Sequence, residues 1–345
     1  MLAHNTEVRI WIEGVEATLN LGALLKSLRY TDTIESESDT CELTFYDEKH
    51  KLLKGGVPLR GSSIELELKQ GDKVFNLGNF ELDAIDYKSP PSECTLKLNS
   101  VPNSAKVRGE PKYRAWEQVT LKKIAQDIAY GAGLQLYYEV EEIEFVRAEQ
   151  SGESDLAFLN RLCRDNGLGL KVANKRIIIF DAAKFESKAP VDTIALDSSK
   201  LKNFNSNAKI TAIYGDAEVN YTPSAVSDWL FSFFGDNDFI KTLTGLDIGL
   251  NLNNGADSMT LKIFENVNSD AEAERLAKGR LRDKNKNEWT LNLTLTGDFS
   301  YAAGQTLALE NFGYLNGKYM IKTATHSLNQ QGYVMQLQMN RCLNY

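Results

Sequence analysis

Two distant stretches of this chain carry the same succession of turn glycines and alternating apolar residues. In the first, Gly61, Ile64 and Leu66 lead to Gly78, Phe80, Leu82 and Ala84, and then to Leu96 and Leu98. In the second, Gly304, Leu307 and Leu309 lead to Gly317, Tyr319, Ile321 and Thr323, and then to Met335 and Leu337. The spacing from Phe80 to Leu96 equals that from Tyr319 to Met335, and Leu43 and Phe45 before Asp47 mirror Leu293 and Leu295 before Asp298. Alternation with period two marks strands that are buried on one face, and its recurrence marks a duplicated unit. The expected fold is therefore mainly β: two similar antiparallel β-barrels. Two quasi-equivalent faces per subunit would let a ring of three resemble a ring of six.

The strands themselves are short. VRIWIEG at 8–14, CELTFYD at 41–47, IELELK at 64–69 and CTLKLNS at 94–100 all alternate. In IELELK, Ile64, Leu66 and Leu68 face one way while Glu65, Glu67 and Lys69 face the other, so one face meets a core and one meets water. The middle changes period. Thr120 is placed to cap a helix with Leu121, Ile124, Ala125 and Ile128 on one stripe, ending at Gly131. Ser154 is placed to cap a second, with Leu156, Leu159, Leu162 and Cys163 inward, ending at Asn166 and Gly167. LQLYYEV reads as a strand, and LGLKV with RIIIFD as a hairpin turning at 173–175. In the last third, Ser269 and Glu272 have capping-box spacing before Ala273, Leu276, Ala277, Arg280 and Leu281, and WTLNLTLTGD, GQTLALENFG, GKYMIKTATHSL and GYVMQLQMN complete a β set. The expected domains are 1–104, a first tube-like barrel; 105–195, a small α+β module; and 196–345, a second barrel with an aromatic-rich insertion at about 217–262.

Bulk properties narrow the function. A chain of 345 residues supports two or three domains and buries roughly 70 to 75 per cent of its extended surface. Its net charge of -8 opposes tight sequence-independent binding to a polyphosphate, which needs a Lys/Arg surface. Cys41, Cys94, Cys163 and Cys342 stand singly, without the spacing of a zinc or redox site, and read as buried thiols. The N-terminus MLAHNTEVRI does not have the pattern of a secretory leader, and no stretch offers the ~18 apolar residues of a membrane span, so neither export by that route nor membrane insertion is expected.

Several stretches resemble chemical motifs. Gly152, Glu153, Ser154 and Asp155 stand at a strand-to-helix turn like a nucleophile elbow, but Leu156 replaces the final glycine and the only downstream histidine is His326, in the middle of a strand. A helix cap is the better reading of Ser154. Glu153 and Asp155 are too close in sequence to face each other across a sugar, and they suit the positive end of a helix dipole instead. His4, His50 and His326 are widely separated, and GYLNGKY has neither the glycine spacing nor the hydroxyl of a phosphate loop. No catalytic residue, cofactor or metal site is expected. The basic run KGRLRDKNKN at 278–287 reads as a solvated helix end. Trp229, Leu230, Phe231, Phe233 and Phe234 are too apolar for a free loop and are candidates either for partner contact or for a local core.

The stretches SLRYTDTIESESDTCELTFYD, GESDLAFLNRLCRDNGLGLKV and SDAEAERLAKGRLRDKNKNEWTLNLTLTGD, followed by GQTLALENF and GKYMIKTATHSL, together resemble the phage late control protein D family, the hubs of contractile tails and related injection devices. The middle stretch carries that family's ES-D-x-x-FL-x-RL pattern. The likeness covers most of the chain apart from the aromatic insertion. It implies a homotrimeric ring with no catalytic residues, placed between the tail tube protein and the central spike protein and touching other baseplate proteins. It also implies assembly in the bacterial cytoplasm, a final place in the virion tail baseplate, and DNA only as passing cargo. No cell-wall hydrolase extension is expected after the last strand. Two rivals are a hub of a genome-free bacteriocin or injection particle and, from another class, a hydrolase using Ser154 or the acids Glu153 and Asp155.

Overall fold

The computed structural model describes residues 6–34, 38–101, 107, 109–209, 213–221, 241–242, 259–264, 267 and 270–343. The first region holds β1 (Thr6–Ile12), β2 (Val15–Glu16), a single helical turn α1 (Thr18–Leu21), β3 (Leu25–Thr33), β4 (Thr40–Tyr46), β5 (Ser63–Gln70), β6 (Lys73–Lys88) and β7 (Glu93–Asn99). The middle holds β8 (Lys112–Thr120), α2 (Leu121–Gly131), β9 (Gln135–Glu139), β10 (Glu144–Glu153), α3 (Asp155–Asp165), β11 (Leu168–Ala173), β12 (Arg176–Asp181) and α4 (Ala182–Ser187). There follow β13 (Asp192–Ala195), β14 (Leu201–Ala208), β15 (Tyr214–Tyr221), β16 (Lys241–Thr242), β17 (Met259–Phe264), α5 (Asp270–Asn285), β18 (Trp289–Thr296), β19 (Thr306–Glu310), β20 (Gly317–Asn329) and β21 (Gly332–Arg341).

The duplication is visible in the ladders. β3 pairs β4, β4 pairs β7, β7 pairs β6 and β6 pairs β5; likewise β14 pairs β18, β18 pairs β21, β21 pairs β20 and β20 pairs β19. The registers coincide as well. Ile64 faces Phe80 as Leu307 faces Tyr319, Leu43 faces Leu96 as Leu293 faces Leu337, and Glu81 faces Asn99 as Met320 faces Asn340. Bulges recur at the same places: Leu82/Ala84 and Ile321/Thr323, Leu25/Ser27 and Leu201/Asn203. Gly61 donates its N–H to the Leu82 carbonyl and Gly304 to that of Ile321, each at 2.8 Å and each with φ near +90°, where a side chain is strained. One detail of the sequence alignment is corrected. Leu96 corresponds to Leu337 and Leu98 to Met339, one pleat beyond the match read from spacing, because the second hairpin is two residues longer: 328–333 lies between Ser327 and Val334, where 89–92 lies between their counterparts Lys88 and Glu93.

The mainly β class with two similar units holds, and among the described residues neither unit closes into a barrel. The two units form one 13-stranded sheet in the order β14-β18-β21-β20-β3-β4-β7-β6-β5-β1-β2, with β19 beside β20 and β13. The junction is the antiparallel pairing of β20 with β3 over Thr323–Asn329 and Ser27–Thr33. Because β3 satisfies its outer backbone groups on the other repeat, the sheet continues across the duplication. Leu43, Phe45, Leu66 and Leu82 bury in the first unit's core; Leu293, Leu295, Tyr319 and Met335 bury in the second's.

The middle elements follow their periodicity. Thr120 Oγ1 accepts from the Lys123 N–H at 3.3 Å, and α2 buries Leu121, Ile124, Ala125 and Ile128. Its left-handed terminal residue is Gly133 rather than Gly131. Ser154 Oγ accepts from the Ala157 N–H at 3.3 Å, and α3 buries Leu156, Phe158, Leu159, Leu162 and Cys163 against the three-stranded sheet β11-β12-β9. α5 packs Ala273, Leu276, Ala277 and Leu281 against Ala217, Val219 and Ile263; its expected cap, Ser269, lies outside the described residues.

Candidate assembly interface

At the internal β3–β20 junction, alternate side chains meet across the ladder. Thr31 and Thr325 hydroxyls lie 3.4 Å apart, Thr33 and Thr323 hydroxyls 3.5 Å apart, and the Tyr30 ring stacks on His326 with centroids 5.7 Å apart. His326 is buried among Tyr30, Phe299 and Tyr333, with Nδ1 2.7 Å from the Tyr333 hydroxyl. Burial pushes its imidazole down to about 4, against the opposing charges of Asp32 and Asp298.

The duplication has one such junction and two matching edges left over. β14 is the counterpart of β3, but among the described residues only β18 pairs with it. β6 is the counterpart of β20, but over Ala84–Lys88 only β7 pairs with it among the described residues. Burial follows the same asymmetry: Leu28 on β3 is 1% exposed, and its counterpart Phe204 on β14 is 38% exposed. An open ladder with an aromatic on it is a template for another strand.

The middle elements clamp this sheet through charge. Lys171 on β11 reaches Asp32 and lies 3.2 Å from Asp39, both at the β3–β4 end. Asp32 also accepts from the Ala303 N–H at 2.8 Å, and Asp39 from the Thr33 N–H at 3.1 Å. Burial raises the Asp39 carboxyl, Lys171 pulls it back and Asp32 adds to the rise. Burial alone would lower the Lys171 ammonium, but Asp32 and Asp39 raise it. The β11–β12 turn presses against β6, where Gly78 has a φ of +108° that strains any side chain, and a Cβ there would displace Asn174 Oδ1, 2.0 Å away.

The residues of the apparent elbow have structural partners. Glu153 receives Arg161 at 2.6 Å. Asp155 is buried and receives Lys112 at 2.6 Å, Arg114, and the Gln150 amide at 3.1 Å. Ser154 is the cap described above, and no hydrogen bond joins it to His326. The ES-D-x-x-FL-x-RL pattern is thus a helix start whose acids tie α3 to β8 and to its own next turn. The reading of the basic run as a solvated helix end holds for Lys278 and Lys284, which are exposed, and is corrected for Arg280 and Arg282. Arg280 meets Asp165 at 3.1 Å and Arg282 meets Glu186 at 2.8 Å, because Gly279 brings α5 against the end of α3. Sequence reasoning missed these pairs, since their acids lie far away in the chain. Cys41, Cys94 and Cys163 are buried free thiols and Cys342 is half-buried. Among the described residues no group of His, Cys, Asp and Glu is arranged to hold a metal ion, and no helix is long and apolar enough to cross a membrane. Trp229, Leu230, Phe231, Phe233 and Phe234 lie outside the described residues.

Comparison with known proteins agrees with this geometry. In fold, the chain is similar to the 43 kDa tail protein of prophage MuSo2 from Shewanella oneidensis, with a TM-score of 0.73 at 14% identity over 97% of this chain and 98% of that one. It is likewise similar to a tail protein of Neisseria meningitidis MC58, with a TM-score of 0.69 at 13% identity over 98% and 97%. In sequence it is 29% identical to a probable baseplate hub protein of Escherichia phage 186 over 52% of this chain and 47% of that protein, and 26% identical to that of phage P2 over 51% and 45%. The chain thus matches about half the length of these curated relatives. The family model described as phage tail baseplate hub (GPD) matches residues 59–332, from just before β5 to the start of β21, and the chain belongs to that family.

Proposed function

We propose that this chain is the structural hub of a contractile-tail baseplate. Three copies close into a ring that joins a hexameric tail tube to a trimeric central spike and leaves a channel for cargo. The observation that carries the reading is the unfilled half of the duplication. Applying the register of the internal junction to the open edges pairs Ala84 with Lys209, Asp86 with Asn207 and Lys88 with Asn205 of a neighbouring copy. Each subunit then supplies two repeats, and three subunits supply six. The division at 104 and 195 belongs to the same reading: two repeats form the ring, and the middle elements, present once per chain, mark it as threefold. The role is structural, with Glu153, Ser154 and Asp155 holding α3 in place. Partners are the tube, the spike and neighbouring baseplate proteins; DNA passes as cargo, its retention opposed by the chain's net charge of -8.

The test is mass in solution together with a signed pair of substitutions. Asn207→Asp sets a like charge opposite Asp86 of the neighbour and weakens the ring; Asn207→Lys sets an opposite charge there and strengthens it. Each contact should shift by roughly 0.2–1 kcal/mol. Light scattering at threefold mass, with a trimer–monomer equilibrium moving in these two directions, supports the reading. A monomer at all concentrations, or equal effects of both substitutions, contradicts it.

A further inference from the structure

At the internal junction the two repeats share more than a ladder. The tip of the β20–β21 hairpin, where Leu328 pairs with Tyr333, is buried in the core of the first repeat, and Phe299 packs there with its ring 4.9 Å from that of Phe75. The second repeat thus helps to close the first repeat's core around Leu25 and Leu28 of β3, both of them buried. The core of the second repeat has no such seal among the described residues, since its buried side chains all lie between Ile194 and Met339. There the counterpart of Leu25 is Leu201, half-buried. The counterpart of Leu28 is Phe204, 38% exposed, whose ring meets that of Phe312 edge-on at 5.2 Å.

The duplication names the segment that fits this opening. Lys88 and Glu93 are the counterparts of Ser327 and Val334, so the tip of the first repeat's hairpin is Ser89, Pro90, Pro91 and Ser92. Ser89, Pro90 and Pro91 are exposed, and the Ser89 and Ser92 hydroxyls lie 2.9 Å apart across the turn. Carrying the internal register across a subunit boundary sets Ser89 opposite Phe204, where Leu328 faces Leu28, and Tyr87 opposite Ser206, where His326 faces Tyr30. The large side chain therefore moves one pleat towards the hairpin tip. That tip is two residues shorter, 89–92 against 328–333, and has no counterpart of Tyr333, which leaves room for a larger facing residue. Proline rings are apolar, stiff and without an N–H, so they cover an aromatic ring with no donor left unpaired and little side-chain entropy lost.

We infer that the 89–92 turn of one copy seats its prolines on Phe204 of the next and completes the core of that copy's second repeat. The inference rests on the ring reading above and gives the ring its anchor: Phe204, backed by Phe312 within its own chain, under Pro90 and Pro91 of a second copy.

The experiment is a double-substitution cycle on the full chain, read by sedimentation velocity over a dilution series. A closed ring of three repeats the contact three times, so a tenfold loss at each multiplies to about a thousandfold in the trimer dissociation constant and raises the concentration of half-dissociation about thirtyfold. Phe204→Ala alone, and Pro90→Ser combined with Pro91→Ser, should each produce a rise of that order. All three substitutions together should add no more than about a further threefold, because both changes remove the same contact. Phe204→Leu, which installs the residue type of the internal junction, should stay within about threefold of the unaltered chain. If Phe204→Ala melts early, the proline pair, exposed within its own chain, carries the test with Phe204→Leu as its partner. A ring indifferent to the proline pair, or one in which the effects of the two changes multiply in full, would overturn the anchor and leave the ring standing, with Phe204 covered by some other surface. A chain that stays monomeric at every concentration would overturn the ring reading and the anchor with it.

Discussion

His326 offers the most quantitative handle on the junction between the repeats. Its neutral imidazole is held at about 4 by burial between Tyr30, Phe299 and Tyr333, whereas in the unfolded chain it titrates near 6.5. Folded pKa below unfolded pKa means that the unfolded state binds the extra proton first. The associated stability is therefore complete above pH 6.5 and declines as pH falls from 6.5 towards 4. At about 1.4 kcal/mol per unit, the loss approaches roughly 3 kcal/mol below pH 4 and is about 2 kcal/mol at pH 5. Urea unfolding at pH 7.5 and pH 5, at one protein concentration, measures it. His326→Phe removes the titration but also the bond to the Tyr333 hydroxyl, so its absolute stability drops by about 1–3 kcal/mol. The informative quantity is the change with pH, which should be about 2 kcal/mol smaller in the variant. Asp39, whose carboxyl burial raises, acts in the opposite sense in both proteins and cancels in the comparison. Equal pH dependence in the two proteins would show that His326 is not buried at this junction.

Three further outcomes follow from named contacts. Leu159→Asp places a charge in the α3 core and should cost several kcal/mol, whereas Ser154→Ala should cost only about 1; thermal melts in the reverse order would refute the cap. Asp155→Ala removes the shared acceptor of Lys112, Arg114 and Gln150 and should cost about 2–3 kcal/mol, since both cations keep access to water, while Glu153→Ala, at a more exposed pair, should cost about 1 or less in the same melts. Gly279→Val drives a side chain into the Gly167 N and Asp165 carbonyl, which an ideal Cβ already approaches to 2.6 and 2.7 Å, and should lower the melting temperature more than Gly109→Val, whose Cβ meets open space.

The duplication was legible because turn glycines and alternating apolar residues are local signals. Gly61 and Gly304 are needed for their own backbone angles, and Ile64 and Leu307 for their own face of a strand. The helix starts at Thr120 and Ser154 were legible for the same reason: a cap acts within three residues. The slip of Leu96 onto Met335 instead of Leu337 shows where local information ends. A shift of two residues keeps every side chain on its face, so apolar pattern cannot detect it, and only the length of the hairpin connection fixes the register. Joining β3 to β20 is a long-range choice of the same kind, invisible in either strand alone. The pairs Arg280–Asp165 and Arg282–Glu186 likewise looked like free charge at a helix end, because their acids come from α3 and α4.

A covalent probe of the open edges gives the most direct reading. Thr31 and Thr325 touch across the internal junction, and in the proposed ring their counterparts across the subunit boundary are Asn207 and Asp86. With Asp86→Cys and Asn207→Cys combined in one chain, mild oxidation should produce a non-reducing gel band at three times the chain mass, reversed by dithiothreitol and absent from either single variant. A monomer that stays uncrosslinked while sedimenting as a trimer would mean that the ring closes through other surfaces, and the proposed continuation of the sheet from one subunit to the next would be wrong.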